Sequence, residues 1–146
     1  MKKLMLLTGL LCLLLNVHAA SISASERAKS HFKEYYSEVQ NESWYNATDN
    51  SMYCIFQRDN KTDRVFYDSR GYWQYTLVSY LPSSLKKNIK DLVDRHFEGY
   101  HISYVNEIQS AYDEPIYMIN IENAGNIKVI QVSGDNFEVK QSLIKE

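Results

Sequence analysis

Ser51-Met52-Tyr53-Cys54-Ile55-Phe56-Gln57-Arg58, the pair Asp59-Asn60, and Arg64-Val65-Phe66-Tyr67-Asp68-Ser69-Arg70-Gly71-Tyr72-Trp73-Gln74-Tyr75 form the stretch whose reading decides the fold. Short runs of β-branched and aromatic residues alternate with clusters of Asp, Asn, Ser and Gly, the pattern of strands joined by tight turns. Strands are expected at about 43–48, 51–58, 64–68 and 72–80, connected as an antiparallel meander. Further segments of the same kind follow at about 100–108, 115–122, 127–133 and 137–144, separated by Asp113-Glu114, Asn123-Ala124-Gly125-Asn126 and Ser133-Gly134-Asp135-Asn136. Sliding the chain by 64 positions lays Ser51–Tyr75 over Pro115–Val139 without a gap, so that Tyr53 meets Tyr117, Ile55 meets Ile119, Val65 meets Val129 and Trp73 meets Phe137. This self-similarity points to an internal repeat, the two halves sharing one sheet because neither carries enough apolar surface to fold alone.

Each set of strands is preceded by a helical pattern. Ser23-Ala24-Ser25-Glu26 has the spacing of a capping box, and Phe32, Tyr35, Tyr36 and Val39 recur at i, i+3, i+4 and i+7, predicting a helix over roughly 24–40. A second helix is expected to open at Leu81-Pro82-Ser83-Ser84, to place Leu85, Ile89, Leu92, Val93, His96 and Phe97 on one face, and to stop at Gly99. The expected fold class is α+β: two helix-plus-antiparallel-strand repeats, about 23–80 and 81–144, forming a curved sheet with the helices on one side.

The N-terminus reads as a cleavable signal peptide, residues 1–19. Lys2 and Lys3 precede an uncharged apolar run from Leu4 to Leu15, and Val17-His18-Ala19-Ala20 closes it with small residues. The run is shorter than the roughly 20 residues a membrane-spanning helix needs. Leu11 stands where a lipobox before Cys12 would need a small residue, which argues against a lipid anchor. A periplasmic or secreted location follows, with residues 20–146 as a single α+β domain.

Removal of Lys2 and Lys3 from 16 basic residues leaves 14 against 18 acidic ones. A net negative chain without a Lys/Arg stripe is not expected to bind nucleic acid or a membrane surface. Cys54 is the one cysteine left after processing, so no intramolecular disulfide can form; within an apolar segment it reads as a small buried hydrophobe rather than a reactive thiol. His96 and His101, with Asp91 and Asp94 nearby, could be drawn as a metal site, but a helix C-terminus that favours cationic side chains explains them better. No Gly-x-Ser-x-Gly elbow, His-Glu-x-x-His pair or phosphate-binding glycine loop occurs, and Asp113-Glu114 fits a solvated turn better than a glycosidase pair. No cofactor and no catalytic residue is expected. Asn41, Asn46 and Asn60 each begin an Asn-x-Ser/Thr triplet, a glycan acceptor only in a eukaryotic secretory pathway.

The run Val65–Trp73, then Leu81-Pro82, the second amphipathic pattern, Gly99-Tyr100, and Tyr117-Met118-Ile119 ahead of Gly134 resemble the PepSY-like secreted proteins of Bacteroidetes. That group is similar to the β-lactamase-inhibitor protein, built from two helix-plus-sheet repeats. The resemblance covers most of residues 45–140 and implies a tandem-repeat fold with a role in protein binding or inhibition. It carries over no catalytic residue, and inhibition of β-lactamase itself does not follow from it.

The chain has 12 Tyr, 2 Trp and 5 Phe. Along 72–80, the match of Trp73 to Phe137 assigns Trp73, Tyr75 and Leu77 to the core, leaving Tyr72, Gln74, Thr76, Val78 and Tyr80 on the opposite face. Tyr72, Gln74 and Tyr80 are therefore the expected partner-binding residues, because Tyr supplies large contact area at low entropy cost. The function that follows is an exported, non-enzymatic module that binds an unknown protein through its open sheet face, as an inhibitor or sensor accessory. The alternative is a small-molecule-binding or hydrolytic α+β domain with a cone-shaped sheet pocket, as in folds resembling nuclear transport factor 2. A cystatin-like inhibitor is a third option, although Gln131-Val132-Ser133-Gly134 does not match the inhibitory loop of that family.

Overall fold

Ser23 starts the first helix as the spacing predicts: its Oγ accepts from the Glu26 N–H at 3.1 Å while the Glu26 carboxylate accepts from the Ser23 N–H at 3.0 Å. In the computed structural model, which describes residues 23–145, this helix is α1 (Ala24–Tyr35), followed by β1 (Ser43–Asn46), β2 (Met52–Arg58), β3 (Lys61–Tyr67) and β4 (Trp73–Tyr80). A 3-10 turn at Pro82–Ser84 leads to α2 (Lys87–His96), β5 (His101–Gln109), β6 (Ile116–Glu122), β7 (Asn126–Ser133) and β8 (Asn136–Ile144). The signal peptide expected at residues 1–19 lies outside the described residues.

Both helices are shorter than their patterns suggest, for the same reason. Tyr36 leaves helical geometry, at φ −132°, and its ring packs 5.1 Å from both Phe32 and Phe56, while its hydroxyl lies 3.2 Å from Thr76 Oγ1. Leu85 takes extended backbone after the 3-10 turn and is buried in the second core, so α2 starts two residues later rather than at Pro82. A buried side chain outweighs one more helical turn, because burying a large apolar group is worth about 1.5–3 kcal/mol.

The eight strands form one sheet in the order β1-β2-β3-β4-β5-β6-β7-β8, every neighbouring pair antiparallel. Phe56, Asp63, Val78, Glu107, Tyr117, Val132 and Phe137 stand in one cross-strand row. Phe56 packs under Phe32 of α1, and Phe137 packs against His96 of α2, so both helices cover the same face. The core is double. Ala28 and Phe32 bury against Met52, Cys54, Phe56, Val65 and Tyr67; Ile89, Leu92 and Val93 bury against Val105, Ile119, Ile121, Ile130 and Val132. Between the two lies a polar seam, Asp63, Thr76 and Glu107, all buried. Arg58 donates to one oxygen of Asp63, and the other oxygen has no hydrogen-bond partner.

The repeat of one helix plus four strands is therefore real, but its offset is 65 rather than 64 over most of its length. Cys54, Phe56, Val65 and Tyr67 occupy the core positions of Ile119, Ile121, Ile130 and Val132. The expected partners Tyr53/Tyr117, Ile55/Ile119 and Val65/Val129 lie on opposite faces of the sheet, since slipping a strand by one residue exchanges its faces. His31-Phe32 and Tyr35 of α1 recur at the same offset of 65 as His96-Phe97 and Tyr100. The β3–β4 turn is longer than the β7–β8 turn, which is why Trp73 and Phe137 nevertheless match at 64.

One irregularity reverses the expected faces of β4. Tyr67 pairs with Trp73 but Phe66 pairs with Tyr75, so Gln74 is the extra residue of a β-bulge. Trp73 faces the helices as expected, and its Nε1 donates to Thr76 Oγ1 at 3.1 Å on the same side. Beyond the bulge the phase shifts: Thr76, Val78 and Tyr80 are buried under the helices, while Tyr75 and Leu77 lie on the open face. The assignment of Tyr75 and Leu77 to the core, and of Thr76, Val78 and Tyr80 to the open side, is corrected accordingly.

Candidate protein-binding face

The open side of β1 to β4 carries a ladder of rings. Tyr45 is paired with Tyr53, Tyr53 with Phe66, and Phe66 with Tyr75, each directly across from the next. The ring centres are 5.1, 5.5 and 4.5 Å apart with interplanar angles of 15°, 27° and 22°, a stack running across four strands. Such cross-strand aromatic pairs contribute roughly 0.2–1 kcal/mol each. Tyr45 and Tyr75, at the two ends, are 45% and 37% exposed, and Tyr53 and Phe66 are half-buried between them. The next row on this face runs Ile55, Arg64, Leu77, Ile108 and Ile116. Rings and aliphatic side chains thus form a continuous surface with Arg64 in the middle of it.

The residues expected to contact a partner are scattered by the bulge and the turn. Tyr72 is 50% exposed but sits beside the start of α1, its ring 4.5 Å from the Arg27 guanidinium and 5.4 Å from that of Arg70. Gln74 is the exposed bulge residue next to Tyr75. Tyr80 is 2% exposed; its hydroxyl donates to Glu107 Oε2 at 2.7 Å, and burial followed by that carboxylate raises its pKa strongly. It belongs to the second core, where its hydroxyl reaches the polar seam, and is closed to a partner. The ladder residues Tyr45, Tyr53 and Phe66 escape a reading by alternation because Met52-Tyr53-Cys54-Ile55-Phe56 is apolar at every position. Such a run shows that both faces of the strand are covered or sticky without saying which face is which.

The remaining chemical groups are occupied structurally. Cys54 is fully buried, and its thiol is pushed up to about 12, first by burial and then by Glu42, which removes thiolate character. His31 stacks between Tyr35 at 4.6 Å and Trp73 at 5.8 Å, with Nδ1 3.1 Å from the Tyr67 hydroxyl. Burial lowers its pKa and Glu34 partly restores it. The metal site that could be drawn near α2 is dispersed: His96 lies on the Phe137 ring, His101 meets Glu122 at 3.2 Å, and Asp91 and Asp94 pair with Lys87 and Lys90. Among the described residues no group of three or more His, Cys, Asp or Glu side chains could hold a metal ion, and no helix is long and apolar enough to cross a membrane. The sheet is open, with β1 and β8 as its two edges, rather than wrapped around a cavity. A cleft of about 210 Å³ beside His31, Trp73 and Gln109 lies on the helix side.

No protein-family model matches the chain, and no curated protein matches it. Solved structures do. A DUF2874 family protein from Bacteroides ovatus superposes with a TM-score of 0.66 at 14% identity, over 81% of this chain and 85% of the other. A BLIP-like protein from Bacteroides fragilis gives 0.66 at 11% identity, over 86% and 89%. A protein described as putative periplasmic, from Bacteroides eggerthii, gives 0.64 at 13%, over 82% and 87%. None of these descriptions carries the PepSY name expected from the sequence. At such identities the likeness is one of fold, and this chain has the tandem α+β fold of the BLIP-like and DUF2874 proteins of Bacteroides.

Proposed function

We propose that the chain is an exported, non-enzymatic binding module that holds a protein partner against the open face of β1 to β4, as an inhibitor-like or sensor accessory element in the periplasm or outside the cell. The observation that carries this reading is the ladder Tyr45–Tyr53–Phe66–Tyr75 with its aliphatic neighbours. A helix covers the other face of the same strands, and aromatic residues exposed together on a rigid sheet are the side chains that dominate interfaces. Two further facts support it: the fold is shared with a protein described as BLIP-like and with another described as putative periplasmic, and the N-terminal sequence has the pattern of a signal peptide. The ladder replaces Tyr72, Gln74 and Tyr80 as the centre of the site, with Gln74 on its rim.

The experiment is capture from native envelope extract with the processed chain as bait, in wild-type, Tyr53→Ala/Phe66→Ala and Tyr72→Ala forms, each first shown to be fully folded at the temperature of capture. The ladder variant is expected to lose the proteins that wild type retains, and Tyr72→Ala to keep them. Equal capture by the ladder variant would remove this face from the function.

A further inference from the structure

On the assumption that the ladder face receives a protein, we infer that the bound segment presents an aspartate or glutamate side chain to Arg64 at the centre of the sheet. Arg64 is half-buried, directly opposite Ile55 on β2 and Leu77 on β4, and one ladder position from Phe66. Its one hydrogen bond within the described residues is a long one, Nη1 to Ser79 Oγ at 3.3 Å, and Ser79 itself donates to Asn106 Oδ1 at 2.7 Å. It has no ion-pair partner among the described residues. Arg58, Arg70 and Lys145 are paired, with Asp63, Asp68 and, at 2.7 Å, Glu122; among the described residues several other cations are unpaired like Arg64, but Arg64 alone is half-buried between Ile55 and Leu77 on the open face. Among residues of β1 to β6 that face away from the helices, the other titratable groups are the ladder tyrosines, Tyr104, and the His101–Glu122 pair at the far end of the sheet.

The face is therefore locally positive on a chain that is negative as a whole. A partner that covered the ladder with apolar groups alone would strip water from a guanidinium and leave its N–H groups unpaired, which is strongly unfavourable. A carboxylate fits the planar fork of an arginine with two parallel hydrogen bonds and restores the balance, while a lysine or arginine at that place would be repelled. Arg64 would thus select among partners that the rings alone accept.

The test is panning of a displayed library of random peptides, about twelve residues long, against the folded chain and against Arg64→Gln, Arg64→Glu and Tyr53→Ala/Phe66→Ala variants, each first shown to be fully folded at the panning temperature. Peptides selected on wild type are expected to be enriched in Asp or Glu beside aromatic or aliphatic residues. They should lose about tenfold or more in affinity for Arg64→Gln and fail to bind the ladder variant. Selection on Arg64→Glu should turn the preference to Lys or Arg. Peptides that need Tyr53 and Phe66 but show no acidic preference, or bind Arg64→Gln as well as wild type, would overturn the role of Arg64 and leave the ladder reading in place. Failure to select any peptide, or selection of peptides indifferent to the ladder, would overturn both.

Discussion

The two repeats share a backbone plan and differ in what they place on it. Where the first core has Phe56, Tyr67 and Cys54, the second has Ile121, Val132 and Ile119; where the first helix buries Ala28, the second buries Val93. A large sheet residue faces a small helix residue in one half, and medium-sized residues face each other in the other. Both solutions fill the space between helix and sheet, as close packing requires. On the open face no such balance holds. Tyr53, Ile55 and Phe66 correspond to Met118, Asn120 and Gln131, so the ring ladder of the first half becomes a mixed polar surface in the second. Packing constrains the covered face of both repeats alike. The uncovered face is free to differ, and it does so in the half that carries the proposed site.

The largest effects test the double core. Phe56→Ala should cost about 3–5 kcal/mol and Ile121→Ala about 2–5 kcal/mol, read as shifts in the denaturant midpoint. Because β4 and β5 join the halves in one sheet, both variants should unfold in a single transition at a lower midpoint. Two separate transitions would show that the repeats are independent units.

The turns sharpen the contrast. Gly71 has φ +82° and packs against the start of α1, where a Cβ would overlap the Ala24 carbonyl oxygen. Gly134, its counterpart in the second half, has φ +55°, and a Cβ there would meet only the Glu114 carboxylate at 3.1 Å. Left-handed backbone costs an L-residue about 1–2 kcal/mol. Gly134→Ala should therefore lose about that much by thermal or chemical denaturation, and Gly71→Ala clearly more. Equal losses would mean that the β3–β4 turn is not locked to the helix.

Smaller again is the contribution of the ladder to stability. Phe66→Ala should lose about 1 kcal/mol of fold stability, through two cross-strand stacks. Gln131→Ala at the matching position of the second half should lose less than about 0.5 kcal/mol. A loss near that of Phe56→Ala would make Phe66 a core residue and weaken the case for a binding face.

The smallest effect is a pH dependence from His31. Its folded pKa lies below the ordinary histidine value of 6.5, with burial the main cause, so between the two values the unfolded chain holds the extra proton. Its contribution to stability is complete above the unfolded value and is lost as pH falls through the folded one. Wild type should therefore lose more stability than His31→Gln between pH 7.5 and pH 5, as measured by urea midpoints at each pH. An identical slope for the two proteins would show that His31 is not desolvated between Tyr35 and Trp73.

Much of the architecture was legible because it rests on local rules. The capping box at Ser23-Glu26, the turn clusters, the succession of helix and strands, and the existence of a repeat all follow from neighbours in the chain. The candidate site was legible only in kind: an aromatic open face was expected, at Tyr72, Gln74 and Tyr80, whereas the rings stacked there, on which the proposed site rests, are Tyr45, Tyr53, Phe66 and Tyr75. The repeat was detected one residue out of register for a related reason. Strands apolar on both faces match almost as well after a slip of one, whereas the recurrence of His31-Phe32 and Tyr35 as His96-Phe97 and Tyr100 marks the offset of 65 without ambiguity.

The sequence by itself determined which segments are strands, where they turn, and that helices precede them twice, because backbone propensity, caps and turn residues act over a few positions. The tertiary structure decided which side of each strand is covered. That choice depends on the single extra residue Gln74, on the longer β3–β4 turn, and on the placement of α1 over Cys54, Val65 and Phe56. A side-chain period of two makes the face of every later residue hang on one insertion, and a bulge leaves no local signature in the run Tyr72-Trp73-Gln74-Tyr75-Thr76-Leu77-Val78, where aromatic or β-branched residues fall on both phases of the alternation. The tyrosine that meets solvent and the tyrosine that meets Glu107 are five residues apart on one strand, and only the fold tells them apart.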